Sequence, residues 1–327
     1  MKKVTYLAAI VAAVCMITSC GKKDGVFNPK EKISAIYYSE TGNIESLDPE
    51  TEEWEAHNYS SPKLIMEKWN WDGKKISSIE LYEPDIDEGS SELYATVRFE
   101  YDGKRIAKVY TPFGSSGDVD IEFTYVYNGK RIEKIQASYM GMTMDFLGFS
   151  YDGDKLSEIK YYAESKNNKS MNTKQMKVFD RLSNLILCSY VPGYEMSPRV
   201  KKIIDNVAVS NSPKDVLGHY SIRVMWKDNN ISMMVADGES ILFSYDDKKN
   251  PLQGFLPLMN IPTLWEDMNG CLVFSENNVT GVNVAGEEYK YTYTYDGEWP
   301  LTRTQTETIS ESEMRGSYSS VFHYEYK

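Results

Sequence analysis

Residues 97–109 read VRFEYDGKRIAKV. At the centre of the phrase, Asp102-Gly103 is either a carboxylate set for chemistry or the corner of a hairpin. Asp-Gly tolerates the positive φ angles of a type I′ turn, whose twist suits two antiparallel strands. Before the corner, Phe99 and Tyr101 alternate with Arg98 and Glu100, the two-residue period of a strand with one buried face. A two-residue Asp102-Gly103 turn pairs Tyr101 with Lys104, Glu100 with Arg105 and Phe99 with Ile106. Phe99, Tyr101 and Ile106 then share a face, and Glu100 and Arg105 form an opposite-charge pair on the other, worth a few tenths to about 1 kcal/mol. The step from Ile106 to Val109 breaks strict alternation and predicts a bulge or strand end near Ala107 to Val109.

The phrase recurs, and repeats take precedence in reading a fold. MEKWNWDGKKISSIELY (66–82), FTYVYNGKRIEKIQASY (123–139) and LGFSYDGDKLSEIKYY (147–162) carry it in the first half; IRVMWKDNNISMM (222–234), ILFSYDDKKNPL (241–252) and YTYTYDGEWPLTR (291–303) carry it in the second. Corners at Asp72, Asp102, Asn128 and Asp152 lie 30, 26 and 24 residues apart, room for two strands and a return loop. Repetition turns the corner carboxylates from chemistry into turn residues. Glycoside hydrolysis needs two carboxylates in one pocket, whereas Asp72, Asp102, Asp152, Asp246 and Asp296 fall at successive tips and Asn128 replaces one of them. The expected fold is all-β: consecutive antiparallel hairpins forming a long twisted meander sheet or two sheets in tandem, with lysine-rich return strands guarding the edges.

The N-terminus gives an address. MKKVTYLAAIVAAVCMITSC has a basic start, an apolar stretch from Val4 to Ile17 too short to span a bilayer, and a small-residue approach to Cys20. Ile17-Thr18-Ser19-Cys20 resembles the bacterial lipobox. That resemblance implies cleavage after residue 19 and lipidation of Cys20, with acyl chains contributing about 0.8 kcal/mol per buried CH₂. The chain then divides into a signal peptide (1–19), a lipidated tether (20–33), a hairpin half (34–165), an irregular junction (166–217) and a second hairpin half (218–327). The junction lacks the corner motif and carries Pro192, Pro198 and Pro213.

The lipobox start, the YDGK(K/R)I hairpins, FSYDDKKNP at 243–251 and the closing NNVTGV…YTYTYDGEWP together resemble exported lipoproteins of unknown function common in Bacteroides and relatives. The hairpin unit is similar to the tyrosine-aspartate (YD) repeats of Rhs-type proteins, though shorter and without their glycine-arginine spacing. The resemblance covers most of 66–162 and 220–303. It implies an exported, mostly antiparallel β-protein at the outer membrane, on its surface or its periplasmic face, and it carries over no catalytic residue.

Composition narrows the partners. A formal net charge of −12 argues against nucleic acid and anionic membrane as partners, leaving the lipid anchor as the membrane contact. Cys188 and Cys271 are a candidate disulfide in an oxidising compartment, with two buried thiols as the alternative. No metal site is expected: His57, His219 and His323 are scattered, and Gly89 of PDIDEGSSE (84–92) comes too early for a calcium loop. Neither a G-x-S-x-G elbow nor a phosphate-cradling glycine loop occurs, so neither enzyme nor cofactor is expected. Aromatic-x-aromatic strands read as core. Trp54, Trp265 and Trp299 stand outside that column and are the candidate ligand surface. The expected function is therefore a non-catalytic envelope lipoprotein binding a glycan or a protein; the alternatives are an assembly subunit of an outer-membrane complex and a polysaccharide hydrolase.

Overall fold

The structure, a computed structural model, describes residues 24–47, 51–86, 88–112, 120–139, 142–162, 219–236, 239–255, 274–284, 286–310 and 314–327. The strands run β1 (Ile33–Leu47), β2 (Trp54–Ser60), β3 (Leu64–Asp72), β4 (Lys75–Asp85), β5 (Ser90–Asp102), β6 (Arg105–Pro112), β7 (Asp120–Asn128), β8 (Arg131–Tyr139) and β9 (Met142–Asp152). They continue as β10 (Lys155–Tyr162), β11 (His219–Lys227), β12 (Asn230–Ala236), β13 (Glu239–Lys249), β14 (Asn277–Val284), β15 (Glu287–Asp296), β16 (Trp299–Ser310) and β17 (Met314–Tyr326).

From β3 to β17 each strand pairs antiparallel with the next. The two ends of that series meet on β1. One edge of β1 pairs with β17 from Ile33↔Tyr326 to Ser46↔Met314. Its other edge takes β3 near its start, Ala35↔Lys68, and β2 beyond, Thr41↔Ser60 to Leu47↔Trp54. The wall is therefore a closed barrel of sixteen strands, with β2 extending the line of β3 beside β1. This corrects the expected open meander or pair of tandem sheets. Closure abolishes the edges that lysine-rich strands were expected to guard. Both hairpin halves belong to one wall, because β10 pairs directly with β11, Glu158↔Arg223.

The corner register also differs from the expected one. Asp102 pairs with Arg105 and Tyr101 with Ile106, so the turn residues are Gly103 and Lys104. Gly103 has φ +59°, and Gly73, Gly129, Gly153 and Gly297 have 57–59°. Glycine at the first central position, followed by a residue at negative φ, is the type II′ alternative for a two-residue hairpin. One residue then bulges from each return strand. Glu100 pairs with Lys108, leaving Ala107 over, and the same step skips Ser77, Glu133, Ser157, Ser232 and Leu301. The bulge falls where the Ile-x-x-Val spacing predicted it. It also returns Val109 to the face of Ile106, which strict alternation would forbid.

The barrel's apolar face points inward. One cluster joins Ile36, Ile79, Ile106, Ile135, Ile159, Ile231 and Phe322 from all round the ring, each 2% exposed or less. In a closed wall only the inside lets such residues share a core. Each such side chain contributes about 1.5–3 kcal/mol when fully buried. At the corner end the filling is completed by chain outside the wall: Phe27 lies 4.9 Å from Phe255, which lies 4.7 Å from Trp69 and 6.3 Å from Phe99. The outward face carries Lys68–Glu80, Lys108–Glu122, Lys134–Asp145 and Lys160–Glu158 pairs at 2.8–3.3 Å. Exposed pairs add little stability, but they fix the polarity. A lipid-spanning barrel needs an outward apolar band about 25 Å tall, whereas the described outer wall from β3 to β10 carries these charged pairs.

Candidate functional site: the corner ring and the free-standing flap

Two features depart from a plain barrel, one at each end. At the corner end every bulge frees backbone groups that the ladder cannot pair, and buried orphans are costly. Aromatics with polar tips satisfy them from the neighbouring hairpin. The hydroxyls of Tyr101, Tyr127, Tyr245, Tyr293 and Tyr326 donate to the carbonyls of Ile76, Ile106, Ile231, Val279 and Pro300 at 2.5–2.9 Å. The indoles of Trp71 and Trp226 donate to the carbonyls of Ile33 and Leu156 at 2.7 and 2.6 Å. Bulge N–H groups find acceptors too: Ile76 the same Tyr101 hydroxyl (3.1 Å), Ile231 the Ser275 hydroxyl (3.2 Å), and Ile106 the Gly25 carbonyl (2.9 Å). Pro300 has no N–H to satisfy. Burial pushes the Tyr101 hydroxyl up to about 12 and raises Tyr127 further in the same direction.

Lys32 before β1 and the Lys/Arg that opens the return strand at the first four corners form a second row. Lys32, Lys75, Arg105, Arg131 and Lys155 stack over Trp71, Tyr101, Tyr127, Tyr151 and Trp226 of the next hairpin, 4.0–5.6 Å from the ring centres. Lys32, Arg105 and Lys155 also donate to the carbonyls of Gly73, Gly129 and Asp228 in the next turn. Arg105 is therefore not the partner of Glu100. That carboxylate instead accepts from Tyr110 at 2.6 Å.

The N-terminal strap, residues 24–32, is stitched to this ring. The Asp24 N–H donates to the Lys130 carbonyl (3.0 Å). The Asp24 carboxylate accepts from the Ile132 N–H (2.9 Å), the Tyr151 hydroxyl (2.9 Å) and Arg131 (3.2 Å). Asp24 takes the place that a carbonyl holds at other corners, so the strap is part of the end wall.

At the opposite end β1, β2, β16 and β17 form a flap. β1 has fifteen residues against eight in β6 and in β10, an excess of about 23 Å along a strand. Six of the seven residues of β2 are exposed, so both faces of the flap stand free of the core. Gly42 lets the Tyr59 ring lie across β1, where a Cβ would clash with it. Glu40 accepts hydrogen bonds from Tyr38 (2.7 Å) and Tyr59, and burial with the Glu40 charge pushes Tyr59 up to about 12. His57 meets the Ser46 hydroxyl at 2.9 Å. On the outward face Arg315 lies 4.1 Å over the Trp54 ring and donates to Glu45 at 2.5 Å.

The predicted aromatic surface is thereby divided. Trp54 is 36% exposed on the flap, whereas Trp299 sits at a corner, 6.4 Å from Tyr326, at the other end of the barrel. Trp265, Cys20, Cys188 and Cys271 lie outside the described residues. The corner carboxylates Asp72, Asp102, Asp152 and Asp296 occupy separate exposed turns. Asp246 instead anchors the start of β14, accepting from the Asn278 N–H (3.1 Å) and from Tyr295. Asp85 caps its own turn by accepting from the Glu88 N–H (2.8 Å). Sequence reasoning missed the polar staples, although a signal was present. The residue before each corner is always Tyr or Trp and never Phe, as core packing alone would allow.

Seam positions also break the inward apolar pattern. Glu67, Arg303 and Gln305 point into the barrel at 0%, 3% and 8% exposure. Glu67 accepts from the Trp69 indole at 2.8 Å, and Arg303 lies over Phe322 at 4.3 Å.

No protein-family model matches the chain, and no curated protein matches it. Among solved structures it is similar to a porin-like protein from Bacteroides uniformis ATCC 8492, with 11% identity, TM-score 0.42, 90% of this chain and 98% of that one covered. It is also similar to a porin-like protein from Bacteroides vulgatus ATCC 8482, with 9% identity, TM-score 0.30, and 91% and 99% covered. At these scores the likeness carries no detail, and the architecture rests on the strand pairing described above.

Proposed function

We propose that the chain is a non-catalytic, lipid-anchored protein of the outer membrane that holds a binding surface away from the bilayer. The flap is that surface, and its ligand is a glycan. The observation that carries this reading is the placement of strap and flap at opposite ends. Asp24 is pinned to the corner ring, four residues after Cys20, so a lipid on Cys20 tethers the corner end and leaves the flap projecting. The charged outer wall supports a barrel standing in water on its anchor. Arg315 covers one face of the Trp54 indole and is held there by Glu45, so a sugar ring would stack its C–H face on the other, with the Arg315–Glu45 pair at its edge to bond hydroxyls. A glycan array probed with the purified protein tests the reading. Binding that falls at least tenfold in Trp54→Ala, with thermal stability unchanged, is expected; an array without signal, or a signal indifferent to Trp54, would overturn it.

A further inference from the structure

The net charge of the chain conceals a strong asymmetry at its corner end. Three neighbouring corners, β3–β4, β5–β6 and β7–β8, present Lys74, Lys104 and Lys130 in exposed turns. Successive corners stand two strand spacings apart, about 10 Å. Behind these tips lie Lys75, Arg105 and Arg131. Arg105 spends its hydrogen bonds on the carbonyls of Asp24, Gly129 and Lys130, so those bonds leave its charge unneutralised. Six cations in this sector face the carboxylates of Asp72, Asp102 and Asp24 and that of Asp154, which pairs with Arg131 from the adjoining corner at 2.8 Å, an excess of two positive charges. Beyond Arg131 the sign reverses: besides Asp154, corners β9–β10, β11–β12 and β15–β16 hold Asp152, Asp228, Asp296 and Glu298 against Lys155, Lys227 and Lys248, the last paired with Glu298 at 3.5 Å.

The strap leaves the barrel on the basic side, because Asp24 hydrogen-bonds to Lys130 and Ile132. Four residues from Asp24 to Cys20 span at most about 14 Å when extended. Resting on the lipidation of Cys20 proposed above, we infer that the sector formed by Lys74, Lys104 and Lys130 docks on anionic lipid headgroups beside the anchor. A single tether leaves a domain free to tumble; juxtamembrane cations attract an anionic surface within a Debye length, about 8 Å at physiological salt. Only the sector next to the anchor reaches that layer, so local charge decides the contact although the whole chain is acidic. The acidic sector opposite is repelled and tilts away, which fixes the azimuth of the barrel and the direction of the flap. Such docking departs from the expectation, drawn from the net charge of the whole chain, that anionic membrane is not a partner.

The test uses the full-length protein purified from its envelope and reconstituted into vesicles with or without phosphatidylglycerol. A fluorophore is carried on a non-natural residue at Asn128, an exposed corner site, or at Asn58 on the flap, with a nitroxide-headgroup lipid as quencher. Intact mass reports the lipid on Cys20. In anionic vesicles, quenching at Asn128 is expected to exceed that at Asn58 several-fold. It should fall toward the Asn58 value in zwitterionic vesicles and in the Lys74→Glu, Lys104→Glu, Lys130→Glu variant, with the corresponding Gln variant between. Lipidated protein whose Asn128 quenching is unchanged by these substitutions, or equals that at Asn58, would overturn the docking and leave the anchor standing. A mass without lipid would overturn both.

Discussion

Tyr101 satisfies both orphaned groups of one bulge, and its loss is the sharpest probe of the corner ring. Its hydroxyl donates to the Ile76 carbonyl at 2.9 Å and accepts from the Ile76 N–H at 3.1 Å, while Ile76 itself is 1% exposed. Tyr101→Phe keeps the ring in the core and strands two buried backbone groups, each costing about 1–3 kcal/mol when left without a partner. Water entering from the corner recovers part of that, so the expected loss is about 2–3 kcal/mol. Tyr127→Phe is the matched control. It removes one donor, to the Ile106 carbonyl, because the Ile106 N–H keeps its bond to the Gly25 carbonyl. Its expected cost is about 1 kcal/mol. Urea unfolding followed by tryptophan fluorescence, with matched m-values, gives both numbers. A loss below about 0.5 kcal/mol for Tyr101→Phe, or a larger loss for Tyr127→Phe, would refute the accounting of bulge hydrogen bonds.

Further outcomes follow from the same ring. Asp228 holds the position that glycine fills at other corners, with φ 55°; Asp228→Gly should raise stability by about 1 kcal/mol, read as a higher urea midpoint. Asp24→Ala should release the strap, and amide exchange at Ile106 and Ile132 should accelerate together while exchange at Ile76 stays unchanged. Burial raises the Tyr101 hydroxyl to about 12 and Tyr127 in the same direction. The folded state therefore holds these protons more tightly than the unfolded chain. That stability is complete below pH 10 and is lost as pH rises from about 10 to 12, by up to about 2 kcal/mol per group. Unfolding midpoints at pH 9, 10.5 and 11.5 check it, and a flat profile would contradict burial of the staples.

How far the sequence could be read follows from which interactions are local. Each hairpin was legible because its corner, its alternation and its bulge lie within about a dozen residues. The corner was nevertheless displaced by one residue. Asp-Gly is shared by two turn types, and the φ of Asp102 separates them: positive in an Asp102-Gly103 type I′ turn, negative in the Gly103-Lys104 type II′ turn that forms. Closure was illegible because it depends on Ile33 meeting Tyr326, across almost the whole chain, without a corner motif between them. The β13–β14 connection hides in the same way. Lys249 pairs with Asn277, and the intervening residues replace a two-residue turn. Trp54 and Trp299 both stand outside the aromatic column in the sequence, but that they lie at opposite ends of the barrel was not legible, since a corner position and a rim position look alike in a strand pattern.

The central claim is that the barrel stands in water with its apolar face inward and reaches the membrane through Cys20. Detergent phase partitioning tests it most directly, comparing the full-length protein with a form secreted on a fully cleaved leader that replaces residues 1–23. The native protein should enter the detergent phase and the form lacking Cys20 should remain folded in the aqueous phase. A Cys20-free barrel that still partitions into detergent would mean that its wall faces lipid, contradicting an inward apolar face.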